Sequence, residues 1–319
     1  GVHGNLGNSD LCNFEMGPRG ARGDRWHDAR MTQPCLPGPV ARSFLFVPGD
    51  RPDRFDKAWD SDADDIILDL EDAVAAQAKP RAREAIAGWL DARRPVWLRV
   101  NAHATPDFAP DLELAQRPGI AGLMLAKAED PLPALSALCV QRGLSLMPLI
   151  ESAAGMHRVA EIAAMPGVVR LAFGSIDFQT DLGIEGEGDA LLAFRSHLVL
   201  HSRLAHLAPP VDGVSTDIND ESAIAQAASQ SRALGFGGKL CIHPRQVAAV
   251  HRAFSPTAAQ REWAVRVLAA MQASAGAAVA VDGRMVDRPV WLQATRIASA
   301  NHEGPPVRHQ AVARRPLPR

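Results

Sequence analysis

Two carboxylates, Glu151 and Asp177, are the side chains of this sequence best placed to bind a metal ion. Each lies just after a short apolar run, residues 144–150 for Glu151 and residues 169–173 for Asp177. If these runs are neighbouring parallel strands, the two side chains lie side by side at one edge of the sheet. Two carboxylates with room for water suit Mg²⁺ or Mn²⁺. The alternative use of the same residues is to cap the helices that follow.

A charged residue inside an apolar run, Arg99 in VWLRVN, also requires an explanation. A guanidinium within a strand needs a partner, and the acidic pair Glu71 and Asp72 after another apolar run can provide one. Arg99 could equally bind a substrate carboxylate or stabilise an oxyanion close to the metal. For Glu71 and Asp72, an N-cap of the next helix is the simpler interpretation.

The segment RPDRFDK carries three cations, Arg51, Arg54 and Lys57. On a helix they would form an ordinary solvated face, and in a functional site they would clamp the phosphates of a nucleotide-containing cofactor. The sequence contains no glycine-rich phosphate loop of the GxxxxGK[ST] type. Lys127 and His243 also follow apolar runs, but the sequence assigns neither of them a particular role.

Eight short apolar runs, separated by longer amphipathic segments, can position these side chains. They are residues 43–47, 65–69, 96–100, 122–126, 144–150, 169–173, 211–214 and 239–242. Nearly continuous apolar runs are typical of parallel strands that are covered on both faces. Eight βα units predict an α/β fold, a closed (β/α)8 or TIM barrel, with its site at the carboxyl ends of the strands. The alternative, an open doubly wound sheet, lacks its G-x-G-x-x-G signature after the first strand.

The chain is expected to have four parts. They are a disordered or loosely attached segment (1–41), the barrel (42–254), a C-terminal helical extension (255–301) and a basic, proline-rich flexible tail (302–319). In the extension, Ser255 and Pro256 predict the start of one helix, and a last helix is expected over about residues 289–300. This helix pair could pack on its own barrel or reach a neighbouring subunit.

Composition excludes several classes of protein. The 319 residues include 34 Lys and Arg against 36 Asp and Glu, so a nucleic-acid-binding or membrane-surface protein is not expected. No apolar run reaches 18 residues, which argues against a transmembrane helix. The 4 cysteines lack zinc-ligand and CxxC spacings and fit a reducing, cytoplasmic compartment. Tyrosine is absent from the sequence, so no tyrosine can act as an acid or base.

Eight short motifs follow one another along the predicted barrel and its extension. They are RSFLFVPG (42–49), DIILDLEDAV (65–74), LRVN (98–101), PLIESAAG (148–155), AFGSIDFQTDLG (172–183), VDGVSTDINDE (211–221), GFGGKLCIHPRQV (235–247) and VDGRMVDRP (281–289). In this combination they resemble the citrate lyase β-subunit-like proteins of the HpcH/HpaI aldolase and malyl-CoA lyase superfamily. The resemblance covers about residues 42–300. Pyruvate aldolases of that superfamily usually have a histidine where this chain has Asp72, and they lack the VDGRMVD segment, which favours CoA thioester chemistry here.

The resemblance implies roles for the residues at the predicted barrel mouth. Mg²⁺ would be bound by Glu151 and Asp177. Arg99 would bind the carbonyl and carboxylate oxygens of a 2-oxo acid, with Glu71 in the same polar site. Further substrate or cofactor contacts are expected from Gly174, Ser175 and Ile176.

The resemblance also implies contacts with coenzyme A and between subunits. Arg54 and Lys57 would contact the phosphates of coenzyme A. Asp287 would reach the active site of the adjacent subunit in a homotrimer or homohexamer and act on the α-carbon of the acyl thioester. From the sequence alone, the other use of Asp287 is to cap the last helix.

The expected reaction is the Mg²⁺-dependent, reversible cleavage of a 3-hydroxyacyl-CoA thioester to acetyl-CoA and a 2-oxo acid. Citramalyl-CoA, malyl-CoA and citryl thioesters all fit, and citramalyl-CoA is preferred by analogy with CoA-using relatives in dicarboxylic acid breakdown. One alternative is a malate synthase or thioesterase acting on the same class of thioester. Another is a non-catalytic subunit of a lyase complex, against which the intact set of charged residues argues.

Overall fold

The computed structural model describes residues 40–274 and 277–300. Eight parallel strands close into a barrel in chain order, and the first strand pairs with the eighth. They are β1 (Ser43–Pro48), β2 (Asp65–Asp69), β3 (Val96–Val100), β4 (Ile120–Leu125), β5 (Ser145–Ile150), β6 (Ala172–Phe173), β7 (Val211–Asp212) and β8 (Gly238–Cys241). The prediction of a (β/α)8 barrel is confirmed. Closure brings the carboxyl ends of all the strands to one mouth.

The strands are apolar throughout because they serve two cores. In β2, Ile67 packs with Trp97 and Met124 in the cluster that fills the barrel. Its neighbours Ile66 and Leu68 pack in the larger cluster between the strands and the helices. Alternate residues of a strand point to opposite faces, so burial of both faces requires a continuous apolar run rather than an alternating one.

Two strands are shorter than their apolar runs predict. β6 and β7 each comprise two residues, against predicted runs of 169–173 and 211–214. Before β6 the pairing is irregular, with an isolated bridge between Val168 and Leu146. Hydrophobicity therefore located these strands correctly but did not show where the regular ladder of hydrogen bonds begins.

Helices cover the outside of the barrel and form much of the C-terminal extension. They are α1 (Phe55–Trp59), α2 (Lys79–Trp89), α3 (Phe108–Leu114), α4 (Pro133–Arg142), α5 (Ala153–His157), α6 (Val159–Ala163), α7 (Ser175–Leu182), α8 (Leu192–Leu204), α9 (Glu221–Leu234), α10 (Arg245–Phe254), α11 (Ala258–Ala273) and α12 (Arg288–Ser299). The amphipathic pattern of residues 153–164 predicts a single helix, but this segment is divided at Arg158, whose φ of −100° and ψ of 13° interrupt it. At the two ends of α9, Asp220 accepts the backbone N–H of Ala223 at 2.9 Å, and Gly235 adopts a left-handed φ of 103°.

The C-terminal extension has a small core of its own. Val267 and Met271 of α11 are buried in one cluster with Ala294 of α12. Helix α11 begins later than predicted, since Thr257 is its N-cap and forms a capping box with Gln260.

A β-hairpin connects α11 and α12, where no regular structure was predicted. Its strands are β9 (Val279–Val281) and β10 (Arg284–Val286), which pair antiparallel. The two residues of the turn, Asp282 and Gly283, have φ values of 51° and 74°. An Asp-Gly pair favours such a two-residue turn, so this dipeptide was the signal that could have predicted the hairpin.

Other sequence expectations concern cysteines, membranes and the chain ends. Burial raises the pKa of the free thiols Cys139 and Cys241 to about 11 and about 12, so both stay protonated at neutral pH.

Within the described ranges, no helix has the length and apolar character that crossing a bilayer requires. The predictions for residues 1–41 and 302–319 fall outside the described residues, apart from residues 40 and 41.

Candidate active site

A cavity of about 480 Å³ opens at the carboxyl ends of the strands. Eight of the residues predicted for the site line it: Arg54, Lys57, Arg99, Glu151, Gly174, Ser175, Ile176 and Asp177. Glu71 lies behind this lining and contacts Arg99. Asp287 is on the C-terminal extension and is not among the residues that line the cavity. The fold therefore brings together all of the proposed site residues except Asp287.

Glu151 has one carboxylate oxygen that is buried and unsatisfied. The side chain is only 2% exposed at the end of β5. Its Oε1 accepts the backbone N–H of Lys127 at 2.6 Å, whereas Oε2 has no hydrogen-bond partner among the described residues. Burial, together with the negative charge of Glu71, raises the pKa of Glu151 well above its ordinary value, and Asp177 contributes in the same direction.

The capping alternative for Glu151 and Asp177 is not what the structure shows. Ser152, not Glu151, caps α5, because its hydroxyl accepts the N–H of Gly155 at 3.2 Å. Helix α7 has Gly174 at its N-cap, with no side-chain cap, and Asp177 lies in its first turn. Neither carboxylate therefore caps a helix, and both residues line the cavity.

The residues present fit a Mg²⁺ ion. Carboxylate oxygens are the hard donors that this ion prefers, and one or two protein carboxylates are its usual share, the rest being water or substrate. An unsatisfied buried oxygen on Glu151 would gain a partner from a bound cation. The described residues contain no cluster of three or more His, Cys, Asp or Glu side chains suited to a metal, so Glu151 and Asp177 would provide two ligands of an otherwise open shell.

Glycine is required at position 174 because Glu151 lies against it. A Cβ atom there would lie 2.4 Å from the Cβ and 2.5 Å from Oε2 of Glu151. We expect Gly174→Ala to displace the carboxylate and weaken Mg²⁺ binding about 10-fold or more. Gly88→Ala on α2 is the matched control, since its Cβ would meet nothing within 4 Å. Equal Mg²⁺ affinity of both variants in calorimetry would contradict the placement of Glu151 at the metal.

Mg²⁺ affinity is expected to fall as the pH is lowered. The fall should begin at a higher pH than for a metal ligand with the ordinary pKa of a glutamate. The raised pKa of Glu151 means that its carboxyl holds a proton at pH values where exposed glutamates are ionised. A proton and the metal compete for this group, so binding releases protons. Calorimetry in two buffers of different ionisation enthalpy measures this release. Affinity that is constant over about pH 5–8, with no proton release, would be the contrary result.

Arg99 is held by an acidic partner that the sequence did not single out. Its Nε and Nη2 donate to the two oxygens of Asp69, both at 2.6 Å, and its Nη1 lies 3.1 Å from Oε2 of Glu71. Burial opposes its charge, but the Asp69 carboxylate outweighs this and raises the pKa of Arg99. Of the two predicted partners, Glu71 is confirmed, and Asp69 is an additional partner. Asp69 could have been found from register, because Arg99 and Asp69 are paired residues of β3 and β2.

Glu71 and Asp72 do not cap a helix, since the short 3-10 helix that precedes α2 has Ala75 as its N-cap and α2 itself begins at Lys79. Instead, Lys127 donates to Glu71 Oε1 at 2.5 Å and lies 3.4 Å from Asp72. Burial raises the pKa of Glu71 despite its two cationic neighbours. For half-exposed Asp72, burial acts in the same direction, but the Lys127 charge outweighs it and lowers the pKa. Lys127, whose role the sequence left open, is therefore part of the site.

The basic segment after β1 divides into paired and unpaired cations. Arg51 is bonded to Asp53 at 3.0 Å. Arg54 and Lys57 are exposed at the cavity, and neither forms an ion pair with any residue that the structure describes. Two open cations at the rim of a carboxylate-rich cavity can bind an anionic part of a ligand.

At Ser175 the cavity wall combines close packing with an unsatisfied hydroxyl. Ser175 is buried, and its hydroxyl has no hydrogen-bond partner within the described ranges. A Cβ at Gly213 would lie 2.3 Å from that hydroxyl, so only glycine fits there. Ile176 is 37% exposed at the mouth. His243, which had no predicted role, also lines the cavity, with its Nδ1 accepting the N–H of Arg245 at 3.2 Å.

Asp287 is the N-cap of α12. Its carboxylate accepts the N–H of Val290 at 3.4 Å, and the side chain is half-buried. The helix-capping role that the sequence suggested for Asp287 is therefore observed. Its role in the site of a neighbouring subunit stays a prediction.

The closed barrel and its carboxylate-rich mouth define the class of this protein as a TIM barrel with a polar site at the carboxyl ends of its strands. The chain belongs to the HpcH/HpaI aldolase/citrate lyase family, whose model matches residues 42–244. This confirms the resemblance found in the sequence and the predicted enzyme class, a carbon–carbon lyase.

Relatives and solved structures agree with this family. The chain is 37% identical over 280 residues to a citrate lyase subunit beta-like protein of Deinococcus radiodurans, covering 82% of this chain and 98% of that protein. It is 32% identical to the L-malyl-CoA/beta-methylmalyl-CoA lyase of Rhodobacter capsulatus, covering 80% and 93%. The crystal structure of CitE from Mycobacterium tuberculosis with magnesium, acetoacetate and coenzyme A superposes with a TM-score of 0.72 at 36% identity, covering 82% and 98%.

Proposed function

We propose that this protein is a Mg²⁺-dependent lyase that reversibly cleaves a 3-hydroxyacyl-CoA thioester of the citramalyl, malyl or citryl type to acetyl-CoA and a 2-oxo acid. The observation that carries this proposal is the buried, unsatisfied oxygen of Glu151 in a cavity that it shares with Asp177 and Arg99. Support comes from the relatives, one of which is a malyl-CoA lyase, and from a similar structure that contains magnesium and coenzyme A.

In the cleavage direction, the bond between the hydroxyl-bearing carbon and the α-carbon of the thioester breaks. The hydroxyl gives its proton to solvent water, and its oxygen becomes the carbonyl oxygen of the 2-oxo acid. The electron pair of the broken bond passes to an acetyl-CoA enolate, which takes up a proton at carbon. Arg99 would hold the carboxylate and the forming carbonyl oxygen of the 2-oxo acid, since Asp69 and Glu71 orient its guanidinium at the cavity. Mg²⁺ on Glu151 and Asp177 would supply further positive charge beside the same oxygens.

Arg54 and Lys57 would bind the phosphates of coenzyme A. Both lie at the exposed rim of the cavity, so they can attract an anionic chain that remains in solvent while the acyl end enters. Binding at this rim would place the acyl end of the thioester towards Arg99 and the two carboxylates that we assign to the metal.

Asp287 would protonate the enolate in the site of a neighbouring subunit of a homotrimer or homohexamer and, in the reverse reaction, remove the α-proton. It lies on the C-terminal extension and does not line the cavity of its own chain, which supports this assignment. A site shared between subunits would also explain why a separate small core holds the extension together.

Asp287→Asn is expected to leave the fold and Mg²⁺ binding intact and to lower the rate of cleavage at least about 100-fold. The test is subunit complementation with Glu151→Gln. Each variant is inactive alone, and assemblies of both, unfolded and refolded together, should regain up to about a quarter of wild-type activity, because one site in four receives both native residues. No recovery in mixed assemblies of confirmed composition, or an active Asp287→Asn variant, would overturn this role.

The reaction itself is tested with the full chain, Mg²⁺ and citramalyl-CoA, malyl-CoA and citryl-CoA, with product masses read with and without EDTA. Acetyl-CoA and a 2-oxo acid, formed only without EDTA, are expected. Free coenzyme A and an intact hydroxy acid would show a thioesterase instead. Absence of both turnover and coenzyme A binding would favour a non-catalytic subunit of a lyase complex.

A further inference from the structure

We propose that Lys127 is a positioning residue that holds two carboxylates of the site at once, Glu151 through its backbone amide and Glu71 through its ammonium group. This inference rests on the proposed lyase function and adds to it a residue that does not line the cavity. No contact with substrate is involved, because Lys127 would act through its two neighbours.

The backbone evidence is a left-handed residue at the end of β4. Lys127 has a φ of 46°, a conformation that side chains other than glycine rarely adopt. The N–H groups on either side point to different strands: Ala126 donates to Val100 of β3, and Ala128 donates to Leu149 of β5. In a regular strand, residues two apart bond to the same neighbour. The change of direction at Lys127 turns its own N–H to Oε1 of Glu151, at 2.6 Å.

This amide decides which oxygen of Glu151 is available for a cation. With Oε1 bonded, the unsatisfied Oε2 is the oxygen left for the metal. The carboxylate cannot rotate freely, because Gly174 packs directly against it. Lys127 therefore sets the orientation of the metal ligand through its backbone.

The side-chain evidence is the contact with Glu71. The ammonium group lies 2.5 Å from Glu71 Oε1, while the other oxygen of Glu71 lies 3.1 Å from Nη1 of Arg99. Glu71 thus bridges two cations, and Asp72 lies 3.4 Å from the same ammonium. Removing the ammonium would free one end of Glu71 and loosen the guanidinium that we place on the 2-oxo acid.

The positive φ at position 127 indicates that the lysine side chain has a role of its own. Glycine adopts positive φ without steric cost, so the backbone hydrogen bond alone could be made by glycine at this position. The lysine adds only its side chain, and that side chain contacts Glu71 and Asp72.

The test compares Lys127→Met, Lys127→Gly and Lys127→Cys in the full assembled chain. We expect kcat for the thioester to fall at least about 30-fold in all three, with KM within about threefold, because geometry rather than thioester binding is lost. Mg²⁺ affinity should stay within about threefold, since the amide is retained. Treating Lys127→Cys with 2-bromoethylamine, which restores an ammonium at nearly the native length, should recover at least about a third of kcat relative to wild type treated in the same way.

Lys127→Gly distinguishes positioning from a purely structural role. It relieves the backbone strain that Lys127→Met retains, so its melting temperature should exceed that of Lys127→Met while its activity stays as low. Native activity in Lys127→Gly or Lys127→Met, or no recovery on alkylation, would overturn the proposal. If wild type cleaves no thioester, the proposed function fails, and the positioning role of Lys127 is tested by calorimetry of pyruvate binding in the presence of Mg²⁺. Pyruvate binding at least about 10-fold weaker in Lys127→Met than in wild type supports the positioning role, and equal pyruvate binding overturns it.

Discussion

Glu151→Gln is expected to abolish Mg²⁺ binding and to lower the rate of carbon–carbon cleavage by at least about 10³-fold. Glutamine keeps the size of the side chain and an oxygen for the N–H of Lys127, but it removes the negative charge that the cavity presents at Oε2. Asp177→Asn should have a similar effect on binding. Glu113→Gln, on an exposed position of α3, is the control.

Glu151→Gln should not destabilise the metal-free protein. The folded-state pKa of Glu151 lies above its unfolded value, so its ionised form favours unfolding, and its contribution to stability falls as the pH rises through the folded pKa. Glu151→Gln removes that charge. We expect a melting temperature at neutral pH that equals or exceeds the wild-type value, together with loss of the stabilisation that Mg²⁺ gives to wild type. A variant that still melts at a higher temperature with Mg²⁺ would place the metal elsewhere.

Arg99→Met is expected to lower kcat/KM about 10²- to 10³-fold, because Arg99 would contact the oxygens on which negative charge develops. It should also destabilise the fold by about 3 kcal/mol or more, since Asp69, which is 1% exposed, would be left as an unpaired buried carboxylate. Urea unfolding and steady-state kinetics measure the two effects separately.

A double variant separates the catalytic loss from the structural one. Arg99→Met with Asp69→Asn removes both charges, while the amide oxygen can still accept the N–H of Glu71, now bonded to Asp69 at 2.9 Å. Stability should return towards the wild-type value, and activity should not. If activity returned with stability, Arg99 would serve only to satisfy Asp69 in the barrel wall.

The barrel could be predicted from sequence because each strand is buried on both faces. Such strands are continuous apolar runs, and the residue that ends each run must lie at the mouth, whatever the details of packing. That reasoning placed Glu151, Asp177 and Arg99 around one cavity. Glu71 was also predicted correctly as a partner of Arg99. The sequence did not predict its contact with Lys127, and the helix cap expected of Glu71 is not observed.

The hairpin of the C-terminal extension and the short strands β6 and β7 had weaker signals. In the hairpin, the strands have three residues each, too few for an alternating pattern to stand out. In β6 and β7, apolar residues continue into backbone that leaves the regular ladder. Both cases depend on hydrogen-bond geometry, which side-chain hydrophobicity does not report.

The sequence by itself determined the fold class, the edge of the sheet that carries the site, and the pair of carboxylates suited to a metal. These follow from local patterns, because burial sets the apolar runs and the chain order sets which strand ends are neighbours. Only the tertiary structure decided the partners: Asp69 for Arg99, and Lys127 for both Glu71 and Glu151. These contacts join residues 24 to 56 positions apart, and closure of the barrel determines which of several nearby charges lie within hydrogen-bonding distance.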